Sequence, residues 1–230
     1  MNNTRKKIAI VTGAGSGIGQ EFVWQLFTYM PSLDQIWLLG RNKANLEETA
    51  KQIEGKGKII PFDLTNALDL ELFSISLLEE NPKVAALVCA AGVGYYGEFE
   101  NGIYEKQLEM IDCNCKALTA VAHKVLPYMK AGSRLFLVSS STAILPQKEF
   151  AVYAATKSYV LTFALGLRKS CQEKGIHMTC VCPGPVQTPF LARAYENKPM
   201  PWWKKPFVQE ASAVVEKALS ANLRNLPISF

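Results

Sequence analysis

Histidine is scarce in this chain: His123 and His177 are the only two in 230 residues. Six cysteines are present, four of them in the C-x-C pairs Cys113/Cys115 and Cys180/Cys182, and no C-x-x-C spacing occurs. Zinc centres are built from Cys and His at wider, C-x-x-C-type spacings, and with only two histidines besides, no metal is expected. In a strand a C-x-C pair points both thiols to one face, and buried, reduced thiols suit a reducing cytoplasm. Charge of one sign is also thin. The formal net charge is +5, with basic runs only at Arg5-Lys6-Lys7 and Lys204-Lys205. Such scattered charge reads as a solvated terminus and a solvated loop, so no nucleic-acid partner is expected.

Long hydrophobic runs are missing as well. The longest candidate, VAALVCAAGVGYYG, is glycine-rich and falls short of the roughly 18 to 20 apolar residues of a membrane span. The opening MNNTRKKIAIVTGAG has the basic start and apolar stretch of a short signal peptide, but Thr12 and the glycines interrupt it at once. A soluble, cytoplasmic protein without membrane contact is the expectation. No Pro/Gly/Ser linker, internal repeat or low-complexity tract divides the chain, so residues 1–230 read as one domain. A chain of this length buries its core without disulfides or metals.

What the sequence does have is alternation. Compact apolar runs (IAIVTG, QIWLLGR, KIIPFD, VAALVCAAG, RLFLVSSS, HMTCVCPG) alternate with stretches of helical periodicity. The first such stretch puts Phe22, Leu26 and Tyr29 on one stripe. A long one runs from about Tyr104 to Tyr128, another from Tyr153 to Glu173, and the last from Gln209 to Asn222, before a candidate edge strand, LPISF. This order predicts a Rossmann-type, doubly wound parallel sheet with helices on both faces, a three-layer α/β/α domain.

TGAGSGIG joins the first strand to the first helix, with Gly13, Gly17 and Gly19 at G-x-x-x-G-x-G spacing and Gly15, Ser16 and Ile18 between them. A tight turn needs positive φ, and a pyrophosphate must reach backbone N–H groups with no Cβ in the way. A dinucleotide site is predicted. Where an acidic residue would bind the adenosine ribose, the chain has Gly40 and then Arg41. With no carboxylate to repel a 2′-phosphate and a guanidinium to bind it, NADP(H) is preferred and NAD(H) remains open; the alternative is a surface arginine at a strand end. In VYAATKS, Tyr153 and Lys157 lie one helical turn apart, either as an acid–base pair or as a packed tyrosine with a lysine reaching past it.

Together these motifs resemble the short-chain dehydrogenase/reductase family, from Ile8 to about Thr188. TGAGSGIG resembles the family's cofactor loop and FDLT its adenine-contacting Asp63, with Leu64 beside it. CAAG, including Ala91 and Gly92, stands where the family has N-N-A-G. Asn114 in DCNCKAL, Ser140 thirteen residues before Tyr153, YAATK, and PGPVQTP follow in the family's order. The resemblance implies an NADPH-dependent carbonyl reductase or alcohol dehydrogenase. Tyr153 would be its general acid or base, Ser140 the group that holds the substrate oxygen, and Asn114 the holder of a water linking Lys157 to solvent. Ser139 and Ser141 flank Ser140 as alternatives. Tyr153, Lys157, Pro183, Gly184, Val186 and Thr188 would also touch the cofactor. A free phenol has a pKa of about 10; bringing it about two to three pH units closer to neutrality takes roughly 3 to 4 kcal/mol, which Lys157 and an oxidised nicotinamide could provide. Cys89 and Ala90 replace the family's two asparagines, which tie the central sheet together, and LPISF is only a stub of its last strand, often a subunit contact. A homodimer is expected, with the tetramer left open.

After PGPVQTP, residues 189–208 stand where the family has a substrate lid. Phe190, Leu191, Tyr195, Met200, Trp202, Trp203 and Phe207 make it apolar. Tyr95, Tyr96 and the segment Ile144 to Gln147, with Leu145, are expected to line the same cleft. A small-molecule partner, an apolar ketone or alcohol, is the expectation. The same aromatics could instead pack on the domain or a second subunit, or rest on a membrane surface. Two other functions fit this sequence: a 3-oxoacyl-thioester reductase and a non-catalytic NADP-binding sensor.

Overall fold

The first strand, β1 (Lys7–Thr12), splits its residues by the two-residue period of a strand. Ile8 and Ile10 enter one apolar layer and Ala9 and Val11 the other, all fully buried. The computed structural model describes residues 5–196 and 199–230, the side chain of Trp203 excepted. Residues 1–4 of the basic opening, 197–198 of the expected lid and the Trp203 side chain lie outside that description.

β1 pairs in parallel with β2 (Gln35–Gly40) and with β4 (Lys83–Cys89). β3 (Gly57–Pro61) adds to β2, β5 (Met129–Val138) to β4, β6 (His177–Val181) to β5, and β7 (Ile228–Ser229) to β6, all parallel. Among the described residues the sheet order is β3-β2-β1-β4-β5-β6-β7. The predicted doubly wound sheet is present, and LPISF supplies its two-residue edge. The winding reverses between β1 and β4, which opens a crevice at the carboxyl ends of those strands.

Helices α1 (Gly17–Tyr29), α2 (Lys43–Ala50) and α8 (Ala211–Leu223) pack on one face. On the other lie α3 (Ala67–Glu80), α4 (Tyr104–Ile111), α5 (Leu118–Val125) and α6 (Ala151–Glu173). The short α7 (Pro189–Ala194) stands above the sheet's carboxyl edge. Local chemistry sets several starts. Asn42 Oδ1 accepts from the Asn45 amide to begin α2, and Asn66 Oδ1 accepts from the amides of Leu68 and Asp69 to begin α3.

The helical stretch expected from Tyr104 to Tyr128 is present, but it is not uniform: a wider π-type turn over Asp112–Ala117 separates α4 from α5, and α5 tightens after Val125 into a last turn that holds Pro127. Cys113 and Cys115 lie on the π-type turn, and Cys180 and Cys182 share a face, with sulfurs 3.8 Å apart. α1 buries Phe22, Val23 and Leu26 but leaves Tyr29 exposed, because its last turn runs beyond the covered surface. One segment, Lys148–Glu173, is long and apolar enough to cross a membrane by length and composition. It is the core helix α6 with its lead-in, apolar because Val160, Ala164 and Cys171 face the sheet.

Candidate active site

The loop between β1 and α1 is folded closely on itself. Gly13 has φ +68°, and a Cβ there would lie 2.9 Å from the backbone of Ala91. A Cβ on Gly19 would come within 2.2 Å of the Gly13 carbonyl oxygen. No acidic side chain lies in the first turn of α1, and the Ser16 side chain makes no capping hydrogen bond. A helix N-terminus approached by bare backbone is a cradle for an anion, which fits the phosphates of a dinucleotide. Thr12 holds this loop to its neighbour. Its hydroxyl oxygen accepts from the amides of Ala90 (3.1 Å) and Ala91 (3.2 Å), and the hydroxyl faces the Val88 carbonyl at 3.4 Å. A threonine on β1 thus makes the local tie in a segment where Cys89 and Ala90 have no amide side chains to offer.

A cavity of about 540 Å³ opens from this loop across the carboxyl ends of β1, β4 and β5. Gly13, Ser16, Gly17, Ile18 and Gly19 form one wall, with Ala91 and Gly92 beside them. Ser140, Tyr153 and Lys157 line it too, as do Pro183, Gly184, Val186, Thr188, Leu145 and Phe190. Ser140 sits just past β5, and Tyr153 and Lys157 stand one turn apart at the start of α6, all three buried.

The contacts of these side chains define their roles. Lys157 Nζ donates to the Val138 carbonyl at 3.0 Å and lies 5.7 Å from the Tyr153 ring centroid. The Ser139 hydroxyl donates to the Lys157 main-chain oxygen at 2.6 Å, so it is spent on fixing α6 to β5. Ser140 Oγ accepts from the Thr142 amide at 3.2 Å. Asn114, inside the π-type turn, binds Val93 twice, donating to its oxygen (2.8 Å) and accepting from its nitrogen (2.9 Å), and donates to Thr156 Oγ1 (3.0 Å). A Cβ on Gly92 would stand 3.0 Å from Asn114 Oδ1 and 3.3 Å from Lys157 Nζ, so glycine lets the chain pass close to both.

Burial pushes the Tyr153 phenol well above its ordinary value, and interaction with the Ser140 hydroxyl pulls it partly back. Burial likewise lowers the proton affinity of Lys157. In the chain by itself burial thus holds the phenol up, whereas the expected lowering by Lys157 together with an oxidised nicotinamide belongs to the cofactor-bound site.

Other predicted residues lie elsewhere. Gly15 does not line the cavity but faces Asn45 on α2. Arg41, 58% exposed at its side chain, pairs with Glu109 at 3.4 Å. Asp63 Oδ1 accepts from the amide and hydroxyl of Thr65, and Leu64 is packed in the core. These three are on the crevice side of β2 and β3, off the enclosed cavity. Tyr95 and Tyr96 do not line it either: Tyr95 donates to Glu109 Oε2 at 2.5 Å, and Tyr96 stacks on Tyr195 with centroids 4.7 Å apart. Aromatic packing and the Glu109 hydrogen bond turn them away. In the lid, Phe190, Leu191, Tyr195 and Phe207 line the cavity, Met200 packs behind them, and Trp202 is 80% exposed. Ile144 points away from the cavity, whereas Leu145 and Gln147 line it.

Sequence reasoning missed Phe150, Thr142, Arg193, Lys204 and Gln209 on the cavity wall. Thr142 Oγ1 and Gln209 Oε1 are buried with no protein partner. Nothing in their spacing marks them, since each reaches the site only through loop packing.

Residues 7–199 match the family described as short chain dehydrogenase. An uncharacterized oxidoreductase of Staphylococcus haemolyticus is 31% identical over 197 residues, covering 84% of each chain. Another, from Staphylococcus epidermidis, is 29% identical over 191 residues and 82% of each chain. A solved short-chain dehydrogenase from Sphingobium yanoikuyae in complex with NADPH superposes with a TM-score of 0.84 at 25% identity, over 97% of this chain and 87% of that one.

Proposed function

The chain belongs to the short-chain dehydrogenase family and is an NAD(P)-dependent oxidoreductase, and on that premise we propose that it reduces the ketone of a largely hydrophobic substrate to a secondary alcohol, with NADPH preferred over NADH. The observation that carries this reading is a single cavity lined both by the glycine loop and by Ser140, Tyr153 and Lys157. A nicotinamide cofactor held by the Gly13–Gly19 loop would supply the hydride. The Ser140 hydroxyl orients the carbonyl oxygen toward Tyr153, and the phenol gives that oxygen its proton. Burial disfavours the phenolate, so Tyr153 carries its proton and is available as the donor. The phenolate left behind is stabilised by the Ser140 hydroxyl and by the positive charge of Lys157, strengthened by the dry surroundings. Asn114 holds the main chain of Val93, next to the cavity residue Gly92.

Arg41 supports the preference for NADPH. Its exposed pair with Glu109 is of a kind that contributes only about 0 to 1 kcal/mol, so the guanidinium is easily redirected to a 2′-phosphate. Asp63 and Leu64, at the end of β3, are the proposed adenine side. A homodimer through the exposed apolar residues of α4 and α6, among them Tyr104, Leu108, Ile111 and Leu165, is part of the proposal. Six cysteines without disulfides support a reducing, cytoplasmic setting.

The test is loss of NADPH absorbance with a panel of hydrophobic ketones. Consumption of NADPH with some of them is expected; tight NADPH binding with turnover of none would favour a sensor. Equal kcat/KM with NADH and NADPH, unchanged in Arg41→Ala, would sink the cofactor preference.

A further inference from the structure

The cavity carries charge of one sign. Among its described lining residues the charged side chains are Lys157, Arg193 and Lys204, with no carboxylate. Lys157 is held by Val138 beside Tyr153, at the glycine-loop end. Lys204 stands at the lid end, in the short turn Trp202–Phe207, and is 7% exposed, whereas its neighbour Lys205 is exposed. A lysine placed for solubility alone extends its ammonium to water. Here the ammonium is turned inward, 5.1 Å from the Phe150 ring centroid, 5.5 Å from that of Tyr195 and 5.6 Å from that of Tyr96. Tyr195 Oη accepts from it at 2.9 Å, and Gln147 Oε1 accepts from it as well. These contacts fix its direction. Burial still lowers its proton affinity, which the charge of Glu149 offsets only in part.

Phe150 relates this cation to the reacting centre. Its ring lies 5.1 Å from the Lys204 ammonium and 5.3 Å from the Tyr153 ring. Proton donor and lid cation therefore both pack against one aromatic residue. The same cavity is lined by the apolar side chains of Leu145, Phe190, Leu191 and Phe207.

We propose that Lys204 recognises a carboxylate on the substrate, so that the preferred substrates are oxo acids with an apolar chain between the ketone and the acid group. The inference deepens the reductase reading and rests on it for the carbonyl, though not for the anion. The ketone end lies against Tyr153 and Ser140, the chain runs along the apolar wall, and the carboxylate meets Lys204, with Arg193 as a second cation on that wall. Hydride adds to the carbonyl carbon, the Tyr153 proton goes to the oxygen, and the carboxylate leaves unchanged. A charge-assisted hydrogen bond in such a setting gives about tenfold or more in affinity over a neutral ester.

The experiment compares medium-chain oxo acids with their methyl esters in the wild type, Lys204→Met and Lys204→Arg, reading kcat/KM with NADPH. In parallel, calorimetry measures binding of the acids to the protein loaded with NADP⁺. The wild type is expected to prefer acid over ester by about tenfold. The ratio should fall toward one in Lys204→Met and survive in Lys204→Arg, which controls for folding. Turnover of esters without preference for the acids, or a preference unchanged in Lys204→Met, overturns the proposal. So does a Lys204-dependent preference for a phosphopantetheine thioester over the free acids, because the anion read is then a phosphate. Acid binding that Lys204→Met abolishes, without turnover of any ketone, upholds the carboxylate site and refutes the reductase reading alone.

Discussion

The Ser139 hydroxyl donates to the main-chain oxygen of Lys157 across 2.6 Å, while the Lys157 ammonium donates to the oxygen of Val138, the residue before Ser139. Two reciprocal bonds therefore fasten the end of β5 to the first turns of α6. That double tie sets where Tyr153, four residues earlier on the helix, meets Ser140.

Tyr153→Phe should keep its NADPH affinity and lose about a hundredfold to ten-thousandfold in turnover, the usual range for a positioned general acid. The ring still packs on Phe150 and Phe190, whose centroids are 5.3 and 5.6 Å away, so folding is expected to survive. Fluorescence titration and single-turnover rates check this together; substantial reduction remaining in the variant would refute the assignment.

Gly19→Ala should damage the cofactor cradle. The new Cβ would sit 2.2 Å from the Gly13 oxygen, a backbone atom that can give way only by moving the loop. Overpacking of this kind costs about 1 to 3 kcal/mol. NADPH affinity is expected to drop at least about tenfold, since one decade corresponds to about 1.4 kcal/mol. Unchanged affinity by titration would show that the loop adapts without cost.

Thr12→Val keeps the shape but leaves the amides of Ala90 and Ala91 without their acceptor. An unmet donor costs about 1 to 3 kcal/mol, and in a chain of this size each kcal/mol lowers Tm by about 2 to 4 °C. Thr12→Ser should retain most of the stability. Thermal unfolding curves that coincide for all three proteins would remove Thr12 from the account of the sheet.

Stability should fall on the alkaline side. Burial pushes the Cys89 thiol up to about 12, and burial with the Glu109 hydrogen bond pushes Tyr95 up to about 12. Tyr195 is likewise raised to about 12, chiefly by burial. For each, the folded state binds the proton more tightly than the unfolded chain. Their stabilisation is complete below the unfolded values, about 8.5 for Cys and 10 for Tyr, and is lost as pH rises toward about 12. Urea midpoints should decline steadily above about pH 9; a flat profile there would contradict the burial of these groups.

The alternation of strand and helix, the glycine turn and the order of Ser140, Tyr153 and Lys157 were all legible along the chain. They are local or periodic: a strand buried on both faces must be apolar throughout, and a loop folded onto itself must be glycine. Their consequence, a parallel sheet whose winding reverses between β1 and β4, follows from right-handed crossovers and needs no further information.

Only the tertiary structure decided the rest. Tyr95 and Tyr96 directly follow β4 yet turn to Glu109 and Tyr195 and leave the cavity, a choice made by side chains distant in sequence. Thr12 ties β1 to the chain after β4 through the amides of Ala90 and Ala91, which becomes visible only when two strands lie side by side. Lys204 looked like half of a solvated Lys-Lys pair until Phe150, Tyr195 and Gln147 were brought around it. Periodicity and motif spacing determine which residues share a strand or a helix face. Which loop residues surround a cavity depends on where packing sends their side chains, and that is set by contacts between elements far apart along the chain.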